Sequence, residues 1–126
     1  MPVPNDRKYL DTHEWFKQEG DLVVIGITPY AADELTDITF VSLPLVGRRV
    51  QAGKPFGEIE SVKATSELFT AIGGEIAAVN TDLADHPEYV NEDALGKGWM
   101  VKIAPDDLRP LDSLKDGPAY DTFVGG

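Results

Sequence analysis

Apolar and polar positions along this chain alternate in short bursts, and the commoner period is two. Leu22-Val23-Val24-Ile25-Gly26-Ile27 is a β-branched run that sets Val23, Ile25 and Ile27 on one face. Residues 37–43 alternate as well, placing Ile38 and Phe40 opposite Thr39 and Val41. Residues 56–61, 66–72, 74–80 and 99–103 complete the predicted strands. Pro44, Gly47, Gly53, Pro55, Gly73, Gly74, Gly96 and Gly98 punctuate the gaps. Short strands this closely spaced predict a small antiparallel sandwich or barrel.

Helical pattern is sparse. Residues 29–35 read as two turns, with Pro29 at the first helical position and acids in the body. Residues 82–90 are polar and interrupted by Pro87, a turn or a single helical turn. Residues 118–124 are expected to form a short terminal helix packed on the barrel. With no linker or low-complexity tract, residues 1–126 read as one domain.

Composition changes the picture mainly through charge. Eleven Lys and Arg against 22 Asp and Glu give a net charge of −11. So acidic a surface repels phosphate backbones and anionic lipid, which excludes nucleic-acid and membrane-surface partners. Its field instead attracts proteins with basic surfaces. There is no cysteine, so disulfides, thiol nucleophiles and thiolate metal sites fall away. His13 and His86 share no spacing that suggests a metal site, and none is expected; His13 reads as a structural hydrogen-bonding residue. Trp15 and Trp99 are expected as core anchors. Residues 1–8 carry no secretory or transit pattern, so the expected location is the cytoplasm.

The stretch that carries chemistry is Gly57-Glu58-Ile59-Glu60-Ser61-Val62-Lys63-Ala64-Thr65-Ser66-Glu67-Leu68-Phe69. Two strand-like segments flank a break in periodicity at Val62-Lys63-Ala64, the pattern of a hairpin with its turn there. Lys63 is thereby lifted onto an exposed tip among Glu58, Glu60 and Glu67. An exposed lysine in a turn is commonplace, and geometry alone leaves its role open. It has neither the apolar burial nor the neighbouring cation that activates a Schiff-base lysine, so a role for it is to carry a group.

The motif Glu60-Ser61-Val62-Lys63-Ala64 resembles the lipoylation site of the glycine cleavage system H-protein family. The resemblance extends to Thr12-His13-Glu14-Trp15, Gly26-Ile27-Thr28 with Tyr30-Ala31, Leu43-Pro44 with Val46-Gly47, Val79-Asn80, Val90-Asn91-Glu92-Asp93 and Gly98-Trp99. These blocks run in family order over residues 8–103; the tail beyond agrees loosely. The resemblance implies a barrel-sandwich hybrid with short peripheral and C-terminal helices. It implies lipoic acid in amide linkage to Lys63. It also implies three visiting enzymes: glycine decarboxylase (P-protein), which loads an aminomethyl group; aminomethyltransferase (T-protein), which passes it to tetrahydrofolate; and dihydrolipoamide dehydrogenase (L-protein), which reoxidises the arm. A lipoyl or octanoyl transferase or a lipoate ligase would attach the cofactor. Thr12, Glu14 and Glu67 match the positions that shelter the arm.

Several departures stand out. Glu67 replaces the Asp common in the family, Thr12 the Ser, and Gly73 follows a stretch without the usual proline. Leu45 stands where the family often has an acid. The reading is therefore a non-enzymatic, monomeric carrier. Two alternatives remain: an H-protein-like relay of octanoyl or lipoyl groups in lipoate biosynthesis, and an acidic interaction domain that carries nothing. A biotinyl domain is disfavoured, because Val62 and Ala64 flank the lysine in place of methionines.

Overall fold

Chain order in the computed structural model, which describes residues 2–125, runs through nine strands and four short helices. They are β1 (Lys8–Tyr9), β2 (Glu14–Glu19), β3 (Leu22–Ile27), α1 (Pro29–Leu35), β4 (Ile38–Ser42), β5 (Arg49–Val50), β6 (Pro55–Ser61) and β7 (Thr65–Phe69). Then come β8 (Gly74–Val79), α2 (Asp82–Asp85), α3 (Tyr89–Glu92), β9 (Val101–Pro105), a 3-10 turn at Arg109–Ser113, and α4 (Gly117–Gly125). Six strands pair in the order β1-β2-β3-β9-β8-β5 and three in the order β4-β6-β7, all antiparallel. Their inner faces share one core: Phe16, Val23, Ile25, Ile76 and Ile103 from the larger sheet meet Ile38, Val41, Phe56, Ile59 and Leu68 from the smaller.

β3 is buried on both faces, which its near-continuous apolar run anticipates. Val23, Ile25 and Ile27 enter the main core as expected. Val24 joins Tyr9, Trp15 and Tyr120 in a second cluster. The Trp15 indole N–H donates to the carbonyls of Ile27 (2.9 Å) and Ala94 (3.0 Å). Its ring lies over Gly26, where a Cβ would fall 2.7 Å from the ring carbons, so only glycine lets the indole lie flat on β3.

The alternation read for residues 37–43 breaks in the fold. Ile38 pairs with Ser61 and Phe40 with Glu60, leaving Thr39 as the extra residue of a β-bulge. One inserted residue reverses every later side chain, because the strand period is two. Val41 therefore turns inward at 7% exposure, and Phe40, expected beside Ile38, faces out at 50%.

Two strand limits also move. β7 stops at Phe69 because the buried Thr70 hydroxyl donates to the Ile72 carbonyl and accepts the Ile72 N–H, closing a tight turn. β9 starts only at Val101, and Trp99 is a half-buried residue at the rim of the second cluster, not a core anchor. β1, β2 and β5 were not among the predicted strands; each exists through its partner strand more than through its own pattern.

α1 occupies the span expected for it. Pro29 opens it, and the Thr28 hydroxyl caps it by accepting the Ala31 N–H at 3.3 Å. Pro87 splits the polar stretch after β8 into α2 and α3. No helix among the described residues is long and apolar enough to cross a membrane.

Candidate functional site

β6 and β7 form the hairpin expected around Lys63, with Glu60 opposite Thr65 as its last pair. Ser61 closes the turn. Its N–H donates to the Ala64 carbonyl (2.8 Å), and its hydroxyl accepts the N–H groups of Lys63 (3.1 Å) and Ala64 (3.0 Å). The Val62 N–H donates to the Asp37 carbonyl (3.1 Å), tying the tip to the start of β4. Backbone hydrogen bonds thus hold the turn while the Val62, Lys63 and Ala64 side chains stay exposed, Val62 at 70%. A short loop so constrained presents one lysine in one place.

The Lys63 ammonium donates to the Glu34 carbonyl near the end of α1, at 3.1 Å. Glu34 lies on the lip of a cleft of about 550 Å3 between α1, β7 and the β1–β2 connection. Thr12, Glu14 and Glu67, far apart in sequence, all line this cleft, with Ile27, Leu35 and Leu68 as apolar wall. Its volume falls within the 300–1,000 Å3 typical of small-ligand sites.

Glu14 is the polar anchor of the cleft and is 1% exposed. One carboxylate oxygen accepts the Thr12 hydroxyl at 2.5 Å, the other the Phe69 N–H at 2.9 Å. Burial pushes its carboxyl above the usual carboxylate range, and these two hydrogen bonds pull the other way. No described cation pairs with it. The arrangement suits a cationic guest, which would bring the missing countercharge.

Two parts of the site were not anticipated from sequence. The first is α1 as a cleft wall, which Tyr30, Ala31, Glu34 and Leu35 supply. The spacing of Ala31 and Leu35, an apolar pair at i and i+4 on one side of the helix, was the available signal. The second is a chain of hydrogen bonds behind that wall. The Tyr120 hydroxyl from α4 lies 2.7 Å from His13 Nδ1 and 2.7 Å from the Thr28 hydroxyl. Each hydroxyl can donate one proton and accept another, so the chain of bonds runs in the direction that the His13 tautomer sets. Burial lowers the His13 pKa, against the opposing pull of Asp11 and Glu34; burial lifts the Tyr120 phenol to about 12. His13 takes a left-handed backbone (φ 80°) to reach this position, and its structural role agrees with the reading of the sequence. No cluster of His, Asp and Glu that could hold a metal ion occurs among the described residues.

Residues 7–125 match the family described as Glycine cleavage H-protein. The glycine cleavage system H protein of Magnetococcus marinus is 49% identical over 124 residues, covering 98% of this chain and 89% of that protein. The one from Anoxybacillus flavithermus is 47% identical, covering 98% of each. The crystal structure of a glycine cleavage system H protein from Mycobacterium marinum superposes with a TM-score of 0.90 at 36% identity, over 98% of this chain and 100% of that one. The two facing sheets with their short helices are thus a barrel-sandwich of the lipoyl-carrier type, as expected.

Proposed function

Because this chain belongs to the glycine cleavage H-protein family, and is thereby a lipoyl carrier of the glycine cleavage system, we propose that Lys63 is the residue that bears the lipoyl group. One observation carries this: an exposed lysine on a rigid tip whose ammonium rests on the lip of a cleft lined by Thr12, Glu14 and Glu67. When bound, lipoate supplies a dithiolane whose sulfurs take up the aminomethyl carbon of glycine and are then reoxidised.

The residues divide the remaining work. Glu60, Ser61, Val62 and Ala64 form the surface that a lipoyl or octanoyl transferase or a lipoate ligase reads around the acceptor amine. Ile27, Leu35 and Leu68 cover the aliphatic arm when it folds back. Glu14, held by Thr12 and the Phe69 N–H, offers a carboxylate to a cation on the end of the arm, and Glu67 adds a second at the rim. The cleft walls exclude water from whatever lies against Glu14.

Membership of the glycine cleavage system implies glycine decarboxylase, aminomethyltransferase and dihydrolipoamide dehydrogenase as partners. In this reading the chain works as a monomer, one carrier domain with no catalysis of its own, since its single arm must face several enzymes in turn.

The test is the intact mass and peptide map of protein made in a lipoylation-competent host with lipoate supplied. The expected result is one lipoyl increment confined to Lys63 and lost in Lys63→Arg, which keeps charge and fold. An octanoyl increment would favour the biosynthetic relay. An unmodified Lys63 beside a modified control carrier would overturn the assignment and leave the acidic interaction domain.

A further inference from the structure

At the far end of the hairpin from Lys63, roughly 20 Å along β6 at 3.3 Å per residue, lies a groove of about 480 Å3. Leu43, Leu45, Arg48, Lys54, Pro55 and Phe56 line it, and no carboxylate does. The surrounding sequence is unusual for this chain. Residues 38–57 contain no Asp or Glu and hold Arg48, Arg49 and Lys54, in a molecule whose net charge is −11.

Arg49 is already neutralised by its ion pair with Asp106 and stands opposite Glu75 in the β5–β8 ladder. Arg48 and Lys54 have no carboxylate partner among the described residues. Both sit on braced backbone. The Gly47 N–H donates to the Ile76 carbonyl and the Ile76 N–H to the Arg48 carbonyl, each at 2.8 Å. Across the groove, the Gly53 N–H donates to the Thr70 carbonyl (2.7 Å) and the Thr70 N–H to the Lys54 carbonyl (3.2 Å). Gly47 and Gly53 make these turns at φ 92° and 81°, where a side chain would be strained. Beside the cations, Leu45 and Val46 are 69% and 60% exposed.

Two unpaired cations on fixed walls, with apolar side chains between them, form a preorganised receptor of opposite sign to the rest of the surface. We propose that this groove docks an acidic segment of a partner enzyme, one whose carboxylates meet Arg48 and Lys54 and whose apolar side chain enters between Leu43, Leu45 and Phe56. Charge complementarity selects this occupant. A second copy of the chain would also bring carboxylates, but two bodies each at −11 repel. The inference rests on the carrier reading, because the partner is an enzyme acting on the arm. It adds a contact distant from the arm that orients the carrier without touching the chemistry.

The test uses full-length lipoylated protein carrying Arg48→Glu and Lys54→Glu. The KM for the carrier is measured at low ionic strength in glycine–bicarbonate exchange by glycine decarboxylase, in transfer to tetrahydrofolate, and in reoxidation by dihydrolipoamide dehydrogenase. The expected result is a rise in KM of about tenfold with at least one enzyme, kcat unchanged, and a smaller effect at high salt. Arg48→Gln with Lys54→Gln should fall between and serves if the reversed pair does not fold. Three unchanged KM values would overturn the proposal. So would an equal rise on reversing Lys17 and Lys97, which would report bulk charge only. A wild-type dimer that the double variant loses would overturn it in favour of a second copy. A wild-type chain turned over by none of the three enzymes would overturn the carrier reading and this docking site with it.

Discussion

Glu14 occupies the seam between core and cleft, and its energetics are set by what it lacks. It is buried, it accepts two hydrogen bonds, and among the described residues no cation pairs with it. Its carboxyl therefore holds its proton more tightly in the fold than in the unfolded chain, where the ordinary value is 4.5. For an acid with a raised folded pKa, the native state binds more protons in the window above 4.5, so its contribution to stability falls as pH rises through that window. Glu14→Gln keeps an acceptor for the Phe69 N–H and removes the ionisation. Urea unfolding should show the variant gaining on the wild type between pH 4.5 and 7, and a gap that stays flat with pH would refute this. The Thr12-His13-Glu14-Trp15 block announced Glu14 in the sequence. Its burial and its bond to Phe69 could not be read there, because β7 lies 55 residues away in the chain.

At the scale of elements, α4 is coupled to α1 through one hydroxyl. Tyr120 stacks on Tyr9 with centroids 4.9 Å apart and links His13 to Thr28, the residue that caps α1. Tyr120→Phe keeps the ring and removes the link, leaving the buried Thr28 hydroxyl and the half-buried His13 ring each short of a partner. The expected cost is about 1–3 kcal/mol. Amide exchange should quicken in α1 while the β8–β9 ladder opens only with global unfolding. If exchange in α1 matched the wild type after correction for global stability, the coupling would be absent. The helix itself was legible, since Pro29 at its first position is a start signal that acts locally. The bulge in β4 was not. Nothing near Thr39 marks it, and pairing with β6 decides which residue is extra.

Across the whole molecule the imbalance of charge is the main fact, with 11 cations against 22 anions. Among the described residues six of the cations sit in ion pairs: Arg7 and Lys17 with Asp6, Arg49 with Asp106, Lys102 with Glu19, Arg109 with Asp107, and Lys115 with Asp11. Exposed pairs of this kind contribute at most about 1 kcal/mol each. What remains is repulsion among unmatched carboxylates, which salt screens. Moving from low salt to 0.5 M NaCl should raise Tm by on the order of 3 °C at pH 8. The gain should shrink as pH approaches the sequence pI of 4.4, and an equal gain at both pH values would point to a salt effect other than screening.

By itself the sequence determined the antiparallel β class, α1, the hairpin and the lysine at its tip. Each of these depends on neighbours a few residues apart, through period-two alternation, a proline at a helix start and a break in the pattern. Tertiary structure alone decided that Thr12, Glu14, Glu67 and α1 enclose one cleft beside Lys63, that Phe40 faces out, and that Arg48 and Lys54 have no carboxylate partner among the described residues. These outcomes depend on register, on a single inserted residue, and on which charges are brought together, and local pattern carries none of that information.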